Sequence, residues 1–444
     1  MAKEKDSGVL NSMALVRKAS PARPTTLHDI PDKLLKIILL YVLTSPHWLV
    51  RAAATCKRWR CIVVERHFFM YDIPATNPTS LVAGHYHNHT SPVNGRRLIF
   101  VPSSPALAVN SHHFSLDFLP GGGSGSWEIV DSHHTLLLLV KKKTGRRHRC
   151  FPDLLVCEPI TRRCQLIPRV EKMKYHPCIG VFLDMHGRTG AITWDGRAID
   201  TMSSFRVICV LYHQFTGVSG NIGTTKAFVF EEGWRRKRGW SVRQQQVTHK
   251  PQIHLHGVES LHFIGRASFS LFWAMEDHSS SLLAYNFRWS KEFEIVPLPD
   301  HIRGSAWRVI DINNSNLVHV VCLVGDNLRI FAARTYDRTD WVLQKSLQLM
   351  EATRGLAGHK DDYFRGSTKI VSTSMSSIVF SPAEETWLFS IDFETMKVAK
   401  YKYMTHSSVS VAYPCELPWL PVLRACIVRC TRRGCGRCSD ICIC

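Results

Sequence analysis

Two hydrophobic textures divide this chain. From Leu27 to Phe69 the apolar positions follow a helical period. Leu34, Leu35, Ile37, Ile38, Leu39, Leu40, Val42 and Leu43 cover most of a cylinder, and only Lys33, Lys36 and Tyr41 interrupt them. A helix apolar nearly all round must be buried on several sides. Asp29 reads as its N-cap, Pro31 as a first-turn residue, and Asp32 as an acid near the positive helix end. Ser45-Pro46 breaks the run and can start a second helix carrying Leu49, Ala52, Ala53 and Cys56. Trp59, Ile62 and Val63 continue the stripe into a third, with Lys57, Arg58 and Arg60 on its wet side. A unit of roughly 40 residues seldom holds itself together unaided. This one carries more apolar surface than three short helices can hide from one another, and the surplus predicts a second protein as its cover.

Beyond about residue 70 the helical period gives way to short β-rich runs separated by Gly, Pro, Asn and Asp turns. One phrase, a strand, a turn and a closing strand, occurs three times: Leu154 to Pro168, Leu282 to Pro299, and Trp387 to Tyr401. A second phrase, a hairpin followed by an aromatic on the next strand, occurs twice. Phe205–Tyr212 leads to Lys226–Phe230 and Trp234; Leu317–Val324 turns at Gly325-Asp326-Asn327 into Leu328–Phe331 and then Trp341. Tandem copies of this kind predict blades, none able to bury its sheet alone. Blades of about 40 to 50 residues fit some seven times between about 75 and 424; an all-β sandwich, or a pair of them, is the alternative.

The helical stretch resembles an F-box, the adaptor-binding motif of ubiquitin-ligase subunits. Ile30-Pro31, Leu34-Leu35, Ile37-Ile38, Leu49 and Lys57-Arg58-Trp59-Arg60 follow that pattern in order and spacing. Ile30 stands where Leu is usual, a volume-conserving exchange. The strand–turn–strand phrase, with Trp127–Asp131, Leu136–Val140 and Tyr413–Trp419, is similar to the propeller domain of plant F-box proteins, and the pairing resembles the large grass family of them. The resemblance implies a small all-α unit of three helices followed by an all-β domain, a β-propeller. Its divisions are a disordered leader over 1–26, the F-box over 27–70, the β domain over 75–424, and a tail over 425–444. It also implies a substrate receptor without catalytic residues or cofactor. Pro31 would fix the helix start; Ile30, Leu34, Leu35, Ile38 and Leu49 would meet a Skp-family adaptor, itself joined to a cullin scaffold; and Trp59 would pin the third helix. The β domain would hold an unidentified target protein.

Composition narrows the rest. An apolar fraction of 45% over 444 residues supports a real core, and no run of about 18 apolar residues predicts a membrane span. The first 26 residues lack an apolar signal core, so the expected location is cytoplasm, nucleus or both. Cys157, Cys209 and Cys322 sit in apolar runs and read as small buried hydrophobes. The net charge of +20 includes two basic runs, Lys141–Arg149 and Arg235–Arg238. They read as hairpin loops or as contacts for an acidic partner or nucleic acid, and a basic nucleic-acid-associated protein is the rival function.

Enzyme signatures are sparse. Gly121–Ser126 lacks the spacing of a nucleophile elbow and reads as a loop, and Gly220–Lys226 has its Lys out of place for a phosphate loop. His85, His87 and His89 read as three imidazoles on a solvated loop, and His254 and His256 as one polar strand face. In the tail only Cys435 and Cys438 have zinc-knuckle spacing, which leaves a small metal knot or an unstructured extension. With 36 acidic residues and no paired motif, a propeller enzyme acting on a sugar or other small molecule is the weakest alternative.

Overall fold

The computed structural model describes residues 30–42, 58–59, 62, 80–91, 95–102, 114–121, 123–141, 151–169, 176–185, 202, 204–217, 220–231, 239–243, 260–275, 281–299, 306–310, 312, 317–334, 337–366, 368–373, 377–382, 387–401 and 411–418. The chain divides into two compact units, Met1–Asn77 and Pro78–Cys444.

In the first unit the described residues form helix α1 (Asp32–Val42) and short helical pieces at 58–59 and 62. The helix expected around Leu49 lies outside the described residues, as do His254, His256 and the cysteine-rich tail.

The second unit is β-propeller-like. Its strands are β1 (Ser80–Ser91), β2 (Gly95–Pro102), β3 (Trp127–His133), β4 (Leu136–Lys141), β5 (Leu154–Glu158), β6 (Arg163–Ile167), β7 (Cys178–Met185), β8 (Phe205–Gly217), β9 (Gly220–Glu231), β10 (Gly239–Arg243), β11 (Leu261–Ala267), β12 (Ser270–Met275), β13 (Ser281–Asn286) and β14 (Phe293–Pro297). They continue as β15 (Ala306–Ile310), β16 (Leu317–Val324), β17 (Asn327–Arg334), β18 (Asp337–Gln348), β19 (Lys369–Thr373), β20 (Ser377–Ser381), β21 (Phe389–Asp392), β22 (Val398–Lys400) and β23 (Ala412–Pro418). Strands β3–β6, β7–β10, β11–β14, β15–β18 and β19–β22 are five antiparallel meanders, here blades two to six. Blades four and five share one sheet through a single parallel bridge, Gly265 to Val309. Blade one joins the two ends of the domain: β23 pairs with β1, and β1 with β2.

Successive strand residues point to opposite faces, and the chain uses both. On β8, Val207, Cys209 and Leu211 enter the core shared with blade two, while Ile208, Val210 and Tyr212 enter the core shared with blade four. On β13, Leu283 and Tyr285 face blade three, and Leu282 and Ala284 face blade five. Further cores join blades one and two and blades five and six. Sheets that bury both faces between different neighbours rule out the sandwich alternative. Cys157, Cys209 and Cys322 are fully buried in these cores.

The strand–turn–strand phrase is the outer hairpin of blades two, four and six. Each turn opens on a side-chain acceptor. Glu158 accepts from the Thr161 hydroxyl at 2.5 Å, Asn286 from the Arg288 and Trp289 amides at 3.1 and 2.7 Å, and Asp392 from the Thr395 amide at 2.8 Å. Each closes on a residue with positive φ: Arg162, Lys291 and Met396. The hairpin phrase is the middle of blades three and five, so the two phrases alternate around the domain. They are also latched together. The indole of Trp240 on β10 donates to the Pro168 carbonyl that ends the phrase in blade two (2.5 Å), and Trp341 on β18 donates to Pro297 of blade four (3.1 Å). Trp234, expected on that strand, lies outside the described residues.

One local expectation is corrected. His85, His87 and His89 lie on strand β1, paired with both β2 and β23, so they are not a loop. Gly220–Lys226 belongs to β9, and Gly123–Ser126 forms a short 3-10 turn leading into Trp127. A short helix that strand periodicity does not announce, α2 (Leu349–Thr353), follows β18, its Leu349 fully buried beside blade six.

Gly265 has φ +146°, and a Cβ there would lie 2.0 Å from the Val309 carbonyl oxygen. Gly265→Ala should therefore break the bridge between blades four and five and lower unfolding stability by about 3 kcal/mol. Gly325→Ala, at a turn with φ +64° and open space around it, should cost only about 1 kcal/mol. Urea midpoints of the two variants provide the check, and equal losses would contradict the assigned role of Gly265.

Candidate functional site

Helix α1 starts at Pro31, whose carbonyl accepts from the Leu34 and Leu35 amides, both at 3.0 Å. Pro31 thus stands at the cap itself, one residue earlier than its expected place in the first turn. Asp32 follows and receives Arg58 through Nε (2.8 Å) and Nη2 (2.6 Å); Arg58 also donates to the Ile30 carbonyl. The ion pair is half open to water, so its worth is about 0–1 kcal/mol. Its main effect is positional, fixing residue 58 against the helix start. Trp59 beside it is half-buried and Ile62 is buried.

The apolar residues of α1 separate into two stripes. Leu35 and Leu39, one turn apart, are fully buried. Leu34, Ile37 and Ile38 are 53, 49 and 44% exposed. Their i, i+3, i+4 spacing puts them on one side of the helix. Of the residues expected to meet an adaptor, Leu34 and Ile38 are in the open stripe and Ile30 and Pro31 lie at its start. Leu35 is turned inward, and Leu49 lies outside the described residues. Ile37 belongs to the open stripe although it was not among the residues singled out; its spacing from Leu34 was the available signal. The Arg58 clamp on Asp32 carried no sequence signal beyond opposite charge.

A second cluster lies where the inner strands converge. Asp131 on β3 accepts from the Leu183 amide of β7 (2.7 Å) and from the Ser132 amide (2.9 Å), and it pairs with Arg266 on β11. Arg266 donates in turn to the Leu183 carbonyl (2.8 Å). Burial pushes the Asp131 carboxyl up, against the pull of Arg266. Asp184 pairs with Arg206. His134 lies 3.1 Å from Glu416 on β23, and the Glu416 amide donates to the His134 carbonyl at 2.9 Å. Burial, then His134 and the Arg266 and Arg206 guanidiniums, push the His133 imidazole well down. Burial, then His87, lowers His85 to about 4, with Glu416 opposing. Asp131 is engaged by donors of blades three and four, whereas Asp184 and Glu158 are engaged by donors of their own blades, Arg206 and Thr135 with Thr161; none of the three is left as an open acid.

One constellation imitates a catalytic triad. Thr353 Oγ1 is 3.0 Å from His359 Nδ1, and His359 Nε2 is 2.9 Å from Asp361. The order of exposure is wrong for nucleophilic catalysis. Thr353 is fully buried and its hydroxyl donates to the Leu349 carbonyl, whereas Asp361 faces solvent. The three residues brace the connection between blades five and six. Among the described residues no group of three metal-ligating side chains is assembled.

Of the two basic runs only Lys141, at the end of β4, is described; residues 142–149 and Arg235–Arg238 lie outside the described residues.

No family model matches this chain, and no curated protein matches it. Solved structures similar to it include Citrobacter koseri AztD, at 10% identity over 74% of this chain and 74% of that one, with a TM-score of 0.31. Others are the Pseudomonas aeruginosa periplasmic gluconolactonase PpgL (12%, 73% and 83%, 0.35) and the Galerina marginata prolyl oligopeptidase B (11%, 74% and 40%, 0.32). Likenesses this distant say nothing of activity, and the architecture stands on the strand pairing itself.

Two outcomes test the inner-strand cluster. Arg266→Met strands Asp131 and should cost about 2–3 kcal/mol, allowing for the water that reaches Arg266. Adding Asp131→Asn should recover part of that loss in a denaturant titration, and no recovery would dissolve the pair. For His85, the folded imidazole stays neutral while the unfolded one protonates, so stability is complete above the ordinary value of 6.5 and falls as pH drops toward about 4. The loss by pH 5 should be about 2 kcal/mol. His85→Asn should flatten the melting-temperature profile across that window; an unchanged slope would remove His85 from the account.

Proposed function

We propose that this chain is the substrate-recognition subunit of a Skp–cullin–F-box ubiquitin ligase. The observation that carries the reading is the open stripe of Leu34, Ile37 and Ile38 on a helix whose other apolar stripe, Leu35 and Leu39, is already buried. A surface helix has no use for a second apolar stripe unless something covers it. The Skp-type adaptor is that cover, and through it the chain joins a cullin scaffold. The β domain binds the target, and the transfer chemistry belongs to the partners. Cytoplasm and nucleus are the compartments where such a complex works.

The exposed halves of three large aliphatic side chains supply roughly 3 kcal/mol on burial, enough to change an affinity on the order of a hundredfold. Leu34→Asp combined with Ile38→Asp should reduce capture of a purified Skp-type adaptor by that factor. Circular dichroism and the melting temperature of the β domain should stay as they were. Leu35→Asp belongs to a different class, because it places a charge at a fully buried position and should unfold the helical unit itself. Undiminished capture by the Leu34/Ile38 double variant would reject the adaptor assignment.

A further inference from the structure

We infer that Cys178 and Cys209 form a redox pair, a dithiol that a peroxide converts into a disulfide inside blade three. The two sulfurs lie 3.7 Å apart. Their meeting follows from strand register. Cys178 stands opposite Leu211 in the β7–β8 ladder, and Cys209 precedes Leu211 by two positions. Residues opposite one another, or two apart on one strand, share a face. Both thiols therefore point toward the core between blades two and three. A bulge between Cys178 and Gly180 shifts the register at this point. Gly180 fits because the Phe182 ring occupies the place of its missing Cβ, 2.5 Å from where that atom would be.

A disulfide needs the sulfurs at about 2.05 Å. Closing the remaining gap takes side-chain rotation and a small adjustment at the bulge, the least constrained part of the ladder. The thiols differ in access. Cys178 is half-buried near the start of β7, whereas Cys209 is fully buried. Cys178 is accordingly the sulfur that an oxidant reaches first, and Cys209 resolves it. The Gly180 carbonyl lies 3.6 Å from the Cys178 sulfur and can accept its S–H; the Cys209 S–H then points at Cys178. Burial and that contact both push the Cys209 thiol up, so it reacts only with a partner held beside it.

The steps balance. The Cys178 sulfur attacks one peroxide oxygen, the O–O bond breaks, and Cys178 becomes a sulfenic acid as one water, or an alcohol from an organic peroxide, departs. The Cys209 sulfur then attacks the Cys178 sulfur, the S–O bond breaks, and the hydroxyl leaves with the Cys209 proton as water. Two thiols are oxidised by two electrons and one peroxide is reduced. A dithiol reductant reverses the bond. This pair does not depend on the ligase reading, since it lies wholly within the β domain.

The test is a peptide map of the full chain after mild hydrogen peroxide treatment. The expected result is a cross-linked peptide pair joining Cys178 to Cys209, two hydrogens lighter than the sum of the free peptides and abolished by dithiothreitol. Cys209→Ser should leave Cys178 as a sulfenic acid that dimedone labels, and Cys178→Ser should remove both the bridge and the label. Near-native circular dichroism of Cys178→Ser separates loss of the pair from loss of the fold. Cys178 linked to any other cysteine, or labelled by dimedone in the unaltered chain with no bridge to Cys209, would overturn the inference, as would a pair that stays reduced while exposed Cys164 oxidises.

Discussion

The β domain depends on sheets with two apolar faces. Each blade can bury only one face against one neighbour, so no blade is stable by itself. The pattern on β4 makes the point. Leu136 and Leu138 serve the core with blade three, and Leu137 and Leu139 serve the core with blade one. Four leucines in a row would read as a span of fully buried strand in any fold. Here they are two half-sets committed to different partners. The same arrangement on β8, β13 and β16 passes the constraint from blade to blade. It makes the pairing of β23 with β1 a matter for the whole domain, because those two strands, the last and first of the β domain, share one sheet.

Apolar packing cannot serve where the inner strands converge. Those strands are the inner edges of their blades, and apart from the Gly265–Val309 bridge their outward amides and carbonyls have no strand to pair with among the described residues. The fold answers with side chains. Asp131 takes the Leu183 amide and Arg266 takes the Leu183 carbonyl, so one peptide edge of blade three is completed by blades two and four. The ion pair between Asp131 and Arg266 then closes the triangle. This account explains why charged residues occur on strands that otherwise alternate apolar positions, and it leaves these acids with structural work.

Much of this was legible in the sequence, for identifiable reasons. The recurring phrase was visible because a turn with an Asx- or Glu-type acceptor and a left-handed closing residue needs particular residues at particular offsets. The Trp–Pro latches were visible only in part: Pro168 and Trp341 stand in the two phrases, but Trp234 was the aromatic read after β9 and Pro299 the closing proline of the second copy, whereas Trp240 and Pro297 make the contacts. What joins them is a contact across blades, Trp240 to Pro168 and Trp341 to Pro297, and no local pattern reports that. The histidines of β1 were misplaced because His, Asn and Gly suggest a loop, whereas pairing with strands on both sides overrides that weak propensity. Helix α2 was missed because five residues are too few to show a period. In the site, the apolar excess of α1 was plain, but which leucine turned inward was not. Leu34 and Leu35 are chemically identical neighbours, and only packing tells one from the other.

That difference between Leu34 and Leu35 bears on how a helix can serve two masters. Leu35 and Leu39 are fully buried, while Leu34, Ile37 and Ile38 stay about half exposed. Adjacent residues on a helix are about 100° apart, so two stripes of four-residue spacing fit side by side without sharing a side chain. The Arg58 bonds to Asp32 and to the Ile30 carbonyl then fix the helix start by polar contacts at the rim. Arg58 at the helix start and the buried pair Leu35 and Leu39 thus lie apart from the half-exposed stripe of Leu34, Ile37 and Ile38. Under the proposed adaptor reading, this separation would let the stripe be covered or uncovered without refolding its own unit. The same separation predicts that substitutions along the two stripes act on different properties, one on assembly and the other on folding.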